Sequence, residues 1–333
     1  MSETKRQVQL TGGSSFAVTL PKSWAKRQGI REGSSLIMRI TDDGGLLIYP
    51  EERQPQKTFT EIRLELGPNV GRDIVGAYLY GYNTIKIHSY TSFEEDELVA
   101  IKRVVRGLVG AEIVEEAPNK IEIQVMLDPE AVTPEKVLRR QNSLVLGMVD
   151  DVAKALMNND VSLAKAVAQR DEEVDRHYFT LVRVIRSAIR DPEIGRRIRQ
   201  TPLSLLDLRV AAKFLEDSGD QAATIAREIL GQKEGRPADS LVKEFCSLAS
   251  IVIEMGPEPI EALLTGNAAL TLHALSLRQK FQERSSQFRR MLSQAPLQAQ
   301  LFLIHSYACL DRICENMADI AELGAPIAGR SIN

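Results

Sequence analysis

The sequence predicts a multidomain α+β protein with a strand-rich N-terminal piece, a small α/β unit and an all-α remainder. Three observations carry this. The first fifty or so residues alternate apolar and polar in short runs bounded by glycine, the period of half-buried strands. The next stretch switches twice between strand and helix periods before closing on two strands. From Pro134 onward only helix-length patterns occur, broken by proline, glycine and asparagine.

In the N-terminal piece, Gln7–Leu10 and Phe16–Leu20 flank a turn at Gly12-Gly13-Ser14-Ser15. Pro21 opens a short helix, Lys22–Arg27, that Gly29 stops. A hairpin follows, Leu36–Ile40 and Leu46–Tyr49 joined at Asp43-Gly44-Gly45. A piece of this size buries too little surface for a core of its own, so pairing with a second copy is expected. Its charge is one-sided: through Arg31, six basic residues stand against Glu3, a net +5 on a chain whose total is −3. A basic head on an acidic body suits an anion such as DNA phosphate. It also suits a lysine-guarded sheet edge.

Arg53-Gln54-Pro55-Gln56-Lys57 reads as a linker. Beyond it come a strand (Glu61–Leu66), a helix (Val70–Tyr80), a strand (Thr84–His88), a helix (Glu94–Leu108) and a hairpin across Pro118-Asn119. This order predicts a small sheet with helices on one face, ferredoxin-like in outline. Gly67-Pro68-Asn69-Val70-Gly71 lacks the lysine and spacing of a phosphate loop, so a spacer domain is the reading.

The helical region breaks at Asn158-Asn159-Asp160, Asp191-Pro192, Thr201-Pro202, Gly231 to Pro237, Gly256-Pro257, Gly266-Asn267 and Ala295-Pro296. Those breaks give helices starting at Thr133-Pro134, Ser162 and Pro202, then three more at about 237–254, 267–293 and 296–323. The third and sixth share a motif: Leu215, Glu216, Asp220 and Ile225-Ala226 return as Leu310, Asp311, Glu315 and Ile320-Ala321 at a constant offset of 95. Constant offset marks an internal duplication. Carboxylates four apart stack on one helix face and repel by a few tenths of a kcal/mol, ~0.3. Either they face solvent, or a cation or basic side chain draws them together.

Composition excludes some classes. With 333 residues there is room for two or three domains, and a net charge of −3 excludes a uniformly basic nucleic-acid binder. Cys246, Cys309 and Cys314 are odd in number and follow no metal-finger spacing, which suits a reducing, cytoplasmic setting. No apolar run nears the ~18 residues of a membrane span, so no membrane insertion is expected. His177, His273 and His305 stand near no metal-ligand pattern, and no Gly-x-Ser-x-Gly occurs, so no enzyme is expected.

Two resemblances follow from these motifs. Leu215-Glu-x-x-Gly-Asp-x-Ala-x-x-Ile-Ala226 resembles the signature of PhoU phosphate-uptake regulators, whose fold is two three-helix units in one bundle. The second copy is weaker, with Cys314 and Glu315 in place of Gly-Asp. Leu10-x-Gly-Gly-Ser-Ser-Phe-x-Val-x-Leu-Pro-Lys-x-Trp-Ala25, then Gly29-Ile-x-x-Gly33, resembles the AbrB/SpoVT (MazE-like) swapped-hairpin domain. That resemblance implies two chains interlaced into one small β-barrel. It also implies that Lys5, Arg6, Lys22, Lys26 and Arg27 contact DNA phosphates, with Trp24 in the core. The domain also occurs as a dimerisation head without DNA.

The combination resembles archaeal phosphate-uptake regulators. The implied division is an AbrB-like head at 1–53, an α/β spacer at 58–128, and PhoU-like repeats at 133–230 and 236–325. Implied partners are DNA, a second copy, and a phosphate transporter or its kinase. Some PhoU proteins hold iron, zinc or other multinuclear metals with an acidic pair on the second helix of each unit facing a pair on the third. Aligned from Asp171, Tyr178 and Val182 fall where the second-helix pair belongs, and Arg278–Arg290 offers only Glu283, so the full metal site is expected to be missing. Were a metal held, Glu216, Asp220, Asp311 and Glu315 would be its ligands, joined by Asp171 or Asp175. Such hard oxygens favour iron, manganese or magnesium over structural zinc.

Overall fold

The structure, a computed structural model, describes residues 5–13, 15–40, 44–51, 61–232 and 237–324. The linker at 53–57, and Ser14 and Asp43 of the two expected turns, lie outside these. Two compact units divide at residue 59/60.

The first unit holds β1 (Gln9–Thr11), β2 (Ser15–Ala17), α1 (Lys22–Arg27), β3 (Leu36–Ile40) and β4 (Leu46–Pro50). β1 pairs with β2 and β3 with β4, both antiparallel, as two separate hairpins. No closed barrel forms within one chain among the described residues. Only Pro50 is buried among them, while Phe16 is 78% and Ile40 79% exposed. A unit that exposes its apolar residues in this way has no core until something covers it.

The second unit begins with a four-stranded sheet, β5 (Glu61–Glu65), β6 (Thr84–His88), β7 (Ala111–Ala117) and β8 (Lys120–Val125), with α2 (Val70–Tyr80) and α3 (Glu95–Arg106) between strands. Its order is β5-β6-β8-β7, with β5 and β6 parallel and the other pairs antiparallel. The expected β-α-β-α-β-β outline is kept. A parallel βαβ at one edge and a hairpin at the other replace the interleaved split βαβ of a ferredoxin. Alternation sends Ile85, Ile87, Ile121 and Ile123 into the core with Ile74 and Ile101. The opposite face is polar: Lys86 bonds Glu61, and Lys120 lies 2.6 Å from Glu115.

The remainder is helical: α4 (Pro134–Asn158), α5 (Val161–Arg190), α6 (Pro192–Arg197), α7 (Pro202–Gly231), α8 (Asp239–Met255), α9 (Glu258–Thr265), α10 (Ala268–Ser293) and α11 (Leu297–Leu323). Start signals explain the boundaries. Asp160 accepts from the Leu163 N–H, and Thr201 and Ser204 form a reciprocal cap ahead of Pro202 at the first turn. Asn159, at φ 56°, turns the chain out of α4. The short α6 and α9 occupy two of the expected breaks, because Asp191-Pro192 and Pro257-Glu258 are themselves helix starts. α7 and α11 begin 95 residues apart, so the duplication extends to whole helices.

α7 packs against α4, α5 and α11 and is the axis of the bundle. Gly219 lets α5 come close: a Cβ there would meet Val174 at 3.0 Å. Polar cross-links sit in the apolar core, with Gln141 donating to the Ala212 carbonyl (3.2 Å) and Asn142 to that of Gly256 (3.0 Å).

The α/β part is joined to this bundle by Arg183 of α5, which is 2% exposed. Its guanidinium donates to the carbonyls of Tyr78 (2.6 Å) and Tyr82 (3.0 Å) and to Asn83 Oδ1 (2.7 Å), over the Tyr78 ring. These acceptors lie at the C-terminus of α2, where Gly81 at φ 88° closes the helix. Orphan carbonyls and the negative end of the helix dipole favour a cation there. Burial lowers the guanidinium pKa to about 10.

Candidate functional site

In the first unit, Lys5, Arg6, Lys22, Lys26 and Arg27 are exposed and make no ion pair with any described residue. Lys26 and Arg27 occupy the last turn of α1, where their charge opposes the helix dipole favourably. Trp24 is half-buried.

In the bundle, the four acids foreseen as one ligand set are not brought together. Glu216 and Asp220 face α5; Asp311 and Glu315 face α10. It is Asp217, one residue round the helix from Glu216, that meets α11, through Arg312 (2.9 Å) and Asn316 (2.8 Å). Opposite Glu216 and Asp220 stand Asp171 and Asp175, so these, rather than Tyr178 and Val182, occupy the facing positions. Tyr178 meets Arg209 (2.8 Å) and Lys213 one turn further on, and Val182 is core. The missed signal was in the sequence: Asp171 and Asp175 are four apart, the spacing of Glu216 and Asp220.

Four carboxylates on two antiparallel helices repel. Burial first, then Asp171, Glu216 and Asp220, raises the Asp175 pKa to about 7 against the opposing charge of Lys213. Burial, Asp171 and Glu216 raise Asp220 to about 6, helped by a hydrogen bond shared with Asp171. Two basic side chains supply counter-charge, Arg227 on Asp171 (3.1 Å) and Lys213 on Glu216. Asp171 Oδ1 is buried without a hydrogen-bond partner.

These oxygens suit a hard cation by type. In position they do not: among the described residues no three potential ligands converge on one point, and Arg227 and Lys213 stand where a cation's charge would. In the second repeat the facing helix is basic. Arg278 pairs with Glu315 at 2.7 Å, Gln282 bonds it at 3.1 Å, and Tyr307 reaches Asp311 at 3.5 Å. Burial and Glu315 raise the Asp311 pKa, opposed by Tyr307, Arg289 and Arg278. The donor set there does not fit a metal.

A pH dependence follows from the first cluster. The folded chain keeps a proton on Asp175 that the unfolded chain releases near pH 4, so this contribution to stability is full below about pH 4. It is lost as pH rises through about 7. The gain in thermal stability from Asp175→Asn is therefore expected to be about 2 to 3 kcal/mol larger at pH 8 than at pH 5. An equal gain at the two pH values would contradict the cluster.

Comparison with known families now bears on both sites. Residues 9–56 match the family model described as antidote-toxin recognition MazE, bacterial antitoxin, and residues 138–229 match the PhoU domain. The chain carries a MazE-like head and a PhoU domain. The PhoU match spans the first repeat, whose motif is intact, and stops before the second, where Cys314 and Glu315 depart from it. Among solved structures, the chain is similar to PhoU from Pseudomonas aeruginosa, at 21% identity and TM-score 0.50, over 59% of this chain and 95% of that one. It is also similar to the phosphate transport system regulatory protein PhoU from Streptococcus pneumoniae, at 19% identity and TM-score 0.47, over 57% and 91%. The first likeness shows a PhoU fold in the bundle. A search of curated proteins gives no match. No helix among the described residues is long and apolar enough to cross a membrane.

Proposed function

We propose that this chain is a dimeric cytoplasmic regulator of phosphate uptake that binds DNA through its MazE-like head. The observation that carries the reading is a head with exposed cations that pair with no described residue and with uncovered apolar strands, on the same chain as a PhoU domain. Cations free of carboxylate partners are available to phosphates. Apolar strands without a core are available to a second copy. The PhoU domain links the head to phosphate homeostasis, and a phosphate transporter or its kinase is the partner proposed for the bundle. No catalytic role is assigned. Domain limits of 1–53, 58–128, 133–230 and 236–325 serve this division of labour.

Chromatin mapping in phosphate-rich and phosphate-starved cells tests the DNA reading. Recurrent peaks upstream of transporter genes, changing with phosphate, are expected. An absence of enrichment would leave a protein-only adaptor signalling to a transporter. The dimer is tested separately: removing residues 1–53 should halve the mass seen by light scattering, and an unchanged mass would refute the head as the dimer contact.

A further inference from the structure

A cleft of about 750 Å³ opens between α3 of the α/β part and α5 of the bundle. That size suits a ligand of drug or nucleotide dimensions. Its floor is apolar, made by Val75, Val99, Val104 and Phe179, and Val99 is 50% exposed in it. Its rim carries Arg103, Arg106 and Arg176. These three are exposed and make no ion pair with any described residue, whereas about half of the described arginines of the bundle, such as Arg139, Arg170 and Arg284, do. The helix dipole at the end of α3 accounts for Arg103 and Arg106 in part. Arg176 lies in mid-helix and has no such reason to be there. A second hollow of about 500 Å³ continues along β7 and shares Arg106, Leu108 and Arg176 with the first. Two of the arginines therefore stand between the two hollows, but Glu112, Glu115 and Glu116 also line the second, which confines an anion to the first.

We infer that this cleft binds a phosphorylated small molecule of nucleotide size, its phosphates on Arg103, Arg106 and Arg176 and its apolar or aromatic part over Val99, Val104 and Phe179. Guanidinium forks match phosphate oxygens bidentately, and several forks around one hollow match more than one phosphate. The single phosphate ion would leave the apolar floor wet; an uncharged nucleoside would leave the arginines unpaired. Glu172, Asp175 and the Arg140-bound Glu173 also line the cleft, on the α5 side, and disfavour anions beyond the arginine rim. Because one wall belongs to the α/β part and the other to the bundle, ligand would be held only while Arg183 keeps the two docked. Binding would then stabilise that junction. This site is independent of the DNA and dimer readings.

The test is calorimetric titration of the full chain with ADP in buffer containing EDTA, which removes any metal-bridged binding. Saturable one-to-one binding is expected, with adenosine and inorganic phosphate each at least about ten-fold weaker. Arg103→Gln with Arg106→Gln, and separately Arg176→Gln, should each weaken ADP by about ten-fold or more while circular dichroism is unchanged. Lys26→Glu with Arg27→Glu should leave it intact, which separates the cleft from the basic head. No ADP binding, binding unchanged by both cleft variants, binding lost with the head variant, or adenosine or phosphate equal to ADP would each overturn the proposal.

Discussion

Arg183→Met is expected to lower the stability of the α/β part by about 3 kcal/mol and to let it open before the bundle. The side chain is of similar length, so little volume is lost, but three hydrogen bonds donated by Arg183 go. The carbonyls of Tyr78 and Tyr82 and the side chain of Asn83 lose a donor, each buried acceptor costing ~1–3 kcal/mol. Against this stands relief of the desolvation that pulls the Arg183 pKa down to about 10. The losses outweigh the relief because the guanidinium sits at a helix C-terminus, where its charge is favoured. Arg183→Lys should recover only part: an ammonium offers no planar fork to three separated acceptors. Hydrogen exchange resolved by residue is the measurement, since a multidomain chain need not unfold in one step. Amides of β5, β6 and β8 should exchange faster in the Met variant while those of α7 and α11 do not. Uniform exchange across both parts would refute Arg183 as their joint.

That joint was not legible in the sequence. Arg183 lies in a run, Leu181-Val182-Arg183-Val184-Ile185, that reads as core with one stray cation, and its partners are about 100 residues away on loop carbonyls that carry no side-chain signal. The helices themselves were legible, because Thr133-Pro134, Asp160, Thr201-Pro202 and Asn267 are local start signals. Short α6 and α9 are not legible for the converse reason: the proline that starts each one also signals a break. In the acidic site, the α7 pair was visible from spacing and duplication, but its partners depend on the antiparallel register of α5. Tyr178 and Val182 lie two turns from the true facing positions, which the packing of Val174 on Gly219 and the Arg227–Asp171 pair fix. Sequence order gave the β-α-β-α-β-β run but could not rank strands across the sheet, which long-range pairing of β6 with β8 decides.

Lys26→Glu combined with Arg27→Glu is expected to remove most of the DNA affinity, whatever the DNA sequence. The motive is charge: six cations against one acid through Arg31, on a chain whose total is −3. In a dimer, Lys5, Arg6, Lys22, Lys26 and Arg27 are presented twice. Neutralising about six phosphates gives a log–log salt slope near −5, at ~0.9 per phosphate. The double change removes four positive charges from the dimer and adds four negative ones. Affinity should therefore fall by about 100-fold or more at low salt, and the slope should flatten by about 4. Because phosphate contacts carry no sequence information, specific and random duplexes should weaken alike. The fold should survive: both side chains are exposed, and neither is bonded to a described residue. The cost is confined to acids at the C-terminal turn of α1, a few tenths of a kcal/mol, ~0.5. A gel-shift or anisotropy series between 50 and 200 mM salt, about the range over which phosphate contacts are most visible, reads both quantities. An intact dimer that binds DNA with parent affinity and slope would show that this face of the head is not the DNA surface. The assignment of DNA binding to the head would then fall, and the contact would have to lie on the bundle or the spacer.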